Sequence, residues 1–177
     1  MGPAAVVDLL TGLGTIDTAL ADRAVDHILA HPRTYGLDAV LVPAVRGLVG
    51  AGRMQGVPSV ERLRAACVAH LRARAAEPLA PPADWRRTAT LPCRCRNCTE
   101  LARFLANPER QAWTLKAAEA ERSHVEDSIR RAQADLDLAT DRRGRPYSLI
   151  CTKNQASYER LARQRRQDLE DLALLAG

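Results

Sequence analysis

Three of the chain's five cysteines fall in one run, Pro92-Cys93-Arg94-Cys95-Arg96-Asn97-Cys98. Thiolates bunched this closely are usually metal ligands, because a tetrahedral ion needs soft donors converging within about 2.3 Å of one point. Cys95 and Cys98 have the spacing of a zinc knuckle, and Cys93 lies just upstream of it. The half of the chain after Pro82 is therefore expected to fold around this site. Clustered cysteines also fit a reducing compartment better than a disulfide framework. A sulfur-rich, closed donor set favours zinc over iron.

Three thiolates leave a closed site one donor short. His124 and Cys151 are the downstream candidates. Cys151 alternates in phase with Tyr147 and Leu149, which suits core packing. His124 sits about 120° from the apolar stripe of its expected helix, at about 100° per residue. A ligand there would pin that helix against the knuckle. Spacing leans toward His124 and keeps Cys151 open. Arg94 and Arg96, interleaved with the ligands, can offset the net negative charge of such a centre, and knuckle N–H groups can bond its sulfurs.

The rest of the chain reads as mainly α. Hydrophobic residues make up 46% of it but aromatics only 3%, so a core must be built from Leu, Val, Ile and Ala, which suits packed helices. Residues 1–80 form an N-terminal helical hairpin array. A short first helix through Val6, Leu9 and Leu10 is expected to stop at Thr11–Gly14. A second starts near Thr15 or Asp17 and ends at His31-Pro32. A third comes after Gly36, with Pro43 as a defect inside its stripe. A fourth begins with Ser59 as N-cap and carries Val60, Leu63, Cys67 and Leu71 inward. Cys67 reads as core packing and His70 as a helix C-terminal residue.

Glu77–Pro82 has the composition of a linker, and Trp85 is expected to anchor the next domain. Residues 83–177 then form a small zinc-binding α+β domain. A helix is launched from the knuckle over 99–105, and a longer one runs from about Lys116 to Ala134. Leu136–Thr140 and Tyr147–Thr152 alternate around the turn residues Asp141–Pro146, predicting one β-hairpin. The last helix runs from about Gln155 to Leu175.

The run Cys93-x-Cys95-x-x-Cys98-x-x-Leu101-x-x-Phe104-Leu105-x-x-Pro108 resembles a segment near the C-terminal end of certain large bacterial and fungal proteins. Arg122-x-His124 resembles it too, as do Thr140-x-Arg142-x-Gly144-x-Pro146-x-x-Leu149-x-x-Thr152-Lys153. Those proteins are classed as 2-oxoglutarate and iron(II)-dependent oxygenases, with the oxygenase domain earlier in the chain. The similarity spans about residues 90–160, and the helical residues 15–75 are compatible with the part preceding it. The resemblance carries His124 over with the three cysteines, whereas position 151 in that pattern is not reliably cysteine.

The oxygenase reaction itself needs two histidines and a carboxylate on a β-barrel. Here only His124 has an acid two positions on, Glu126, and that pair lies in an expected helix with no histidine downstream. A deaminase-like site lacks its upstream H-x-E. The expectation is therefore a non-catalytic zinc-stabilised interaction module, the C-terminal part of an oxygenase-like protein, whose partner is another protein or a covalently linked catalytic domain.

The alternative is a zinc-dependent nucleic-acid-binding domain. It rests on a net charge of +5 and on Arg142, Arg143 and Arg145 at the hairpin tip, Lys153 beyond it, and Arg160 and Arg163 on the last helix. Aromatics are too few to stack single strands. No apolar run approaches the roughly 20 residues of a membrane span. Residues 1–7 lack the basic start of a secretory signal, and a cytoplasmic location is expected.

Overall fold

The computed structural model describes residues 2–52 and 56–177. The elements are α1 (Pro3–Ile16), α2 (Thr18–Ala30), a π-helical turn (Leu37–Leu41), α3 (Val42–Gly50), α4 (Pro58–Ala76), α5 (Arg96–Ala106), β1 (Ala112–Lys116), α6 (Glu119–Ala132), β2 (Leu136–Asp141), β3 (Ser148–Lys153) and α7 (Ala156–Ala176). The architecture is mainly α with a small three-stranded antiparallel sheet in the order β1-β3-β2. No described helix is long and apolar enough to cross a membrane. The chain divides into two compact units, Met1–Pro78 with Arg163–Gly177, and Leu79–Ala162. Residues 163–177, which the sequence groups with the metal-binding half, thus pack with the first unit.

In the first unit, aliphatic side chains from each helix meet in one core. Val6 and Leu10 of α1, Val25 and Ile28 of α2, Val45 and Leu48 of α3, and Leu63, Cys67 and Leu71 of α4 are sealed in it, and Leu175 of α7 joins them. Fully burying one such side chain contributes about 1.5–3 kcal/mol, so Leu175 alone gives the tail of α7 a reason to be there.

A polar clamp accompanies that contact. The Arg74 guanidinium donates to both Asp168 oxygens at 2.7 and 2.6 Å and to Asp38 on the π turn at 2.6 Å. Asp168 is almost fully buried. Burial pushes its carboxyl up, but the bonds from Arg74 and Gln164 outweigh this and hold it below its ordinary value.

Three helix boundaries differ from the sequence reading, each for a local reason. α1 runs through Gly12 and Gly14 and stops at Asp17, whose extended backbone breaks the helix and whose carboxylate caps α2 by accepting from Ala19 N at 2.8 Å. The Pro43 defect is absorbed by the π turn. There Leu41 and Val42 donate to carbonyls five residues back, and Pro43, which has no N–H to give, falls in the first turn of α3. The α4 N-cap is Val57 rather than Ser59. Pro58 takes the first helical position, and Ser59 is buried inside the turn with its hydroxyl unpartnered.

The second unit has a core of different make-up. Phe104 of α5 stacks on Trp113 of β1, with centroids 6.2 Å apart and planes tilted 24°. Leu101, Leu105, Leu115, Val125, Ile129, Leu149 and Cys151 complete it. The expected hairpin is present as β2 and β3, pairing Leu138 with Cys151. A third strand, β1, pairs with the other edge of β3, setting Trp113 opposite Cys151 and Leu115 opposite Leu149. The sequence pattern predicts no strand there and starts the next helix at about Lys116. The helix begins instead at Glu119. The segment before α5 is tied in by backbone bonds from Trp85 N to Pro108 O and Arg87 N to Leu105 O, with the Arg87 guanidinium 5.3 Å above the Trp85 ring.

Candidate metal centre

The knuckle sits at the start of α5. Cys95 is the residue before the first helical turn, with extended backbone, and its carbonyl accepts from Thr99 N at 2.8 Å. Cys98 lies inside that turn and is fully buried, while Cys93 approaches from the preceding coil. The turn thus gathers the sulfurs on the N-terminal, positive end of a helix, where thiolates are favoured. Cys95 N donates to Cys93 Sγ at 3.4 Å.

The Cys95 thiol is lowered to about 7, first by the backbone N–H of Cys98. Burial drives the Cys98 thiol the other way, to about 11.

The fourth donor comes from α6. His124 Nε2 lies 3.2 Å from Cys93 Sγ and 3.6 Å from the sulfurs of both Cys95 and Cys98. All four donor atoms fall within 4.8 Å of one another. A tetrahedral ion with bonds of about 2.3 Å to sulfur and about 2.0–2.1 Å to nitrogen sets the nitrogen about 3.6 Å from each sulfur. Two of the spacings meet that requirement and the one to Cys93 is about 0.4 Å shorter, so these four residues can hold one metal ion after a small adjustment.

Behind them, Cys98 Sγ lies 3.5 Å from Ser128 Oγ, which donates to His124 O at 2.9 Å. Ser128, one turn on from His124, therefore joins a sulfur ligand to the backbone that carries the imidazole. Spacing alone gave no sign of it.

Cys151 is placed elsewhere. It is buried between Trp113 and Leu138 in the sheet, outside the donor cluster, and burial pushes its thiol up to about 12. Cys67 lies in the first unit's core, raised to about 12 by burial. Arg96 turns to Glu100, one helical turn on, at 3.3 Å, while Arg94 is exposed. On its open side the centre borders a groove of about 720 Å³, with Arg96, Glu100, Lys116 and Glu121 beside Cys93, Cys95 and His124.

The basic residues singled out from the sequence differ in their settings. Lys153 is buried, its ammonium donating to Asn107 O at 2.7 Å and lying 4.3 Å from the Phe104 centroid. Arg143 is paired with Asp141 at 3.1 Å. Arg160 donates to Ser157 Oγ at 2.8 Å, and Arg163 belongs to the other unit. Arg142 and Arg145 are exposed in the β2–β3 turn.

Comparison with protein-family models, with curated proteins and with solved structures finds no match to this chain. The donor geometry therefore carries the functional reading.

Proposed function

We propose that Cys93, Cys95, Cys98 and His124 bind a structural zinc ion and that the chain is a non-catalytic, zinc-stabilised interaction module. The observation behind this is the convergence of three sulfurs from one short run and an imidazole from α6 on spacings that suit a tetrahedral ion. Four protein donors leave no coordination position for a substrate or an activated water, which is the arrangement of structural sites. A metal held there cross-links the start of α5 to α6. The second unit's core is smaller than the first unit's, and such a link adds stability to what its burial supplies.

On this reading the module works as the C-terminal part of an oxygenase-like protein, serving a catalytic domain on the same chain or a separate protein. Support comes from the resemblance over about residues 90–160, in which the three cysteines and His124 recur together. The groove beside the centre, with charges of both signs on its rim, offers a place for such a partner.

Two measurements test the reading together. Elemental analysis of purified protein is expected to find zinc at one ion per chain in the unaltered protein and none in Cys95→Ser. Incubating the zinc-loaded chain with 2-oxoglutarate and iron(II) is expected to release no succinate above the protein-free control. Succinate released in proportion to protein would contradict the non-catalytic assignment.

A further inference from the structure

A second, smaller cavity of about 290 Å³ is lined by Ala117, Glu119, Arg122, Arg145, Pro146 and Tyr147. Its unusual member is Arg122. This side chain is only 8% exposed, yet no carboxylate pairs with it among the described residues. Its Nε donates to Ala117 O at 3.2 Å, and its guanidinium carbon lies 5.6 Å from the Tyr147 ring centroid. The two terminal nitrogens have no acceptor among the described residues. They are not among the sealed, unpartnered polar atoms either, so they keep some accessible surface, and Arg122 is one of the residues that line the cavity. A buried cation with idle donors is unfavourable unless something anionic completes it.

The surroundings supply the rest of an anion site. α6 begins at Glu119 with no side chain capping its first turn, leaving backbone N–H groups at the positive end of a 14-residue helix. Arg145 brings a second guanidinium to the same lining and forms no ion pair among the described residues. Glu119 is the opposing charge in the lining, against two guanidiniums, and Glu121 is a second acid in the first turn of α6, facing the groove beside the sulfur cluster. Arg122, stacked on Tyr147 and anchored through Nε, keeps its outer edge as a planar two-donor fork, the shape that matches a phosphoryl group.

We propose that this cavity binds a phosphoryl group, free or as a small monoester, between Arg122, Arg145 and the first turn of α6. The site is separate from the sulfur cluster, and its test reads phosphate rather than metal. Calorimetry is run on the metal-loaded chain at constant ionic strength, with inorganic phosphate in one arm and methyl phosphate in the other. Saturable one-to-one binding is expected in at least one arm, and the tighter arm shows whether the natural ligand is the free ion or an ester.

Arg145 is exposed, and Arg145→Ala is expected to weaken binding about tenfold, as loss of a charge-assisted pair does, with an unchanged circular-dichroism spectrum. Arg122→Lys keeps the charge but loses the fork and is expected to weaken it as much, whereas Glu119→Gln should tighten it. The proposal is overturned if neither ligand saturates at millimolar concentration. It is equally overturned if binding persists unchanged in Arg145→Ala and Arg122→Lys.

Discussion

Removing the His124 imidazole takes one of four donors from the cluster while leaving the three sulfurs where they are. His124→Ala is therefore expected to weaken metal binding by more than about 100-fold, beyond what loss of an outer-shell partner does. Ser128→Ala, which touches only Cys98 and the His124 carbonyl, should weaken it about tenfold. Competition with a chromophoric chelator measures both. Ser59 makes the opposite kind of case. Its buried hydroxyl has no partner, so Ser59→Ala is expected to raise stability by about 1 kcal/mol in a denaturant titration. The sulfur ligands could be read from the sequence because their spacing is itself the signal. Ser128 could not, since a serine one turn beyond a histidine looks like any solvated helix residue until α6 is laid against the knuckle.

Elements were legible where the pattern was long enough to repeat. The alternation of Leu136 and Leu138 and of Leu149 and Cys151 around a turn marks the hairpin, and β2 pairs with β3 accordingly. β1 offered only five residues, Ala112–Lys116, and its two inward side chains, Trp113 and Leu115, are too few to distinguish a strand from a helix end. Gly12 misled for another reason. Glycine stops a helix only when the chain gains by leaving it, and here Asp17, beyond both glycines, supplies that gain. A Cβ at Gly12 meets nothing within 4 Å. Gly12→Ala should accordingly stabilise the first unit by about 0.5–1 kcal/mol, read as a shift in its unfolding midpoint.

The Arg74–Asp168 clamp predicts both a mutation and a pH effect. Arg74→Ala strands a buried carboxylate and is expected to cost about 3 kcal/mol, the low end for such pairs because Arg74 is partly exposed. The Asp168 carboxyl titrates lower when folded than when unfolded. Its contribution is thus complete above the unfolded value near pH 4 and is lost as pH falls through the lower folded one. Acid titration of the first unit should show that loss below about pH 4, and Arg74→Ala should flatten it.

At the scale of the whole molecule the two units differ in what holds them. The first has an extended aliphatic core drawn from α1 to α4 and the tail of α7. The second gathers a smaller one around Phe104 and Trp113, with the sulfur cluster at its edge. The division falls at Pro78, and the return of residues 163–177 to the first unit had no sequence signal. A helix that is continuous in pattern says nothing of which core its last turns enter. The buried Asp168, Asp171 and Leu175 record it. Metal removal should therefore act selectively. After chelation, amide exchange is expected to accelerate across 79–162 and to stay slow in α1–α4 and over 163–177.

The most direct test is X-ray absorption at the zinc edge of the purified, metal-loaded chain. Three sulfurs at about 2.3 Å and one nitrogen at about 2.0–2.1 Å are expected. A shell of four sulfurs, a shell of oxygen and nitrogen alone, or no bound zinc to excite would contradict the centre built by Cys93, Cys95, Cys98 and His124.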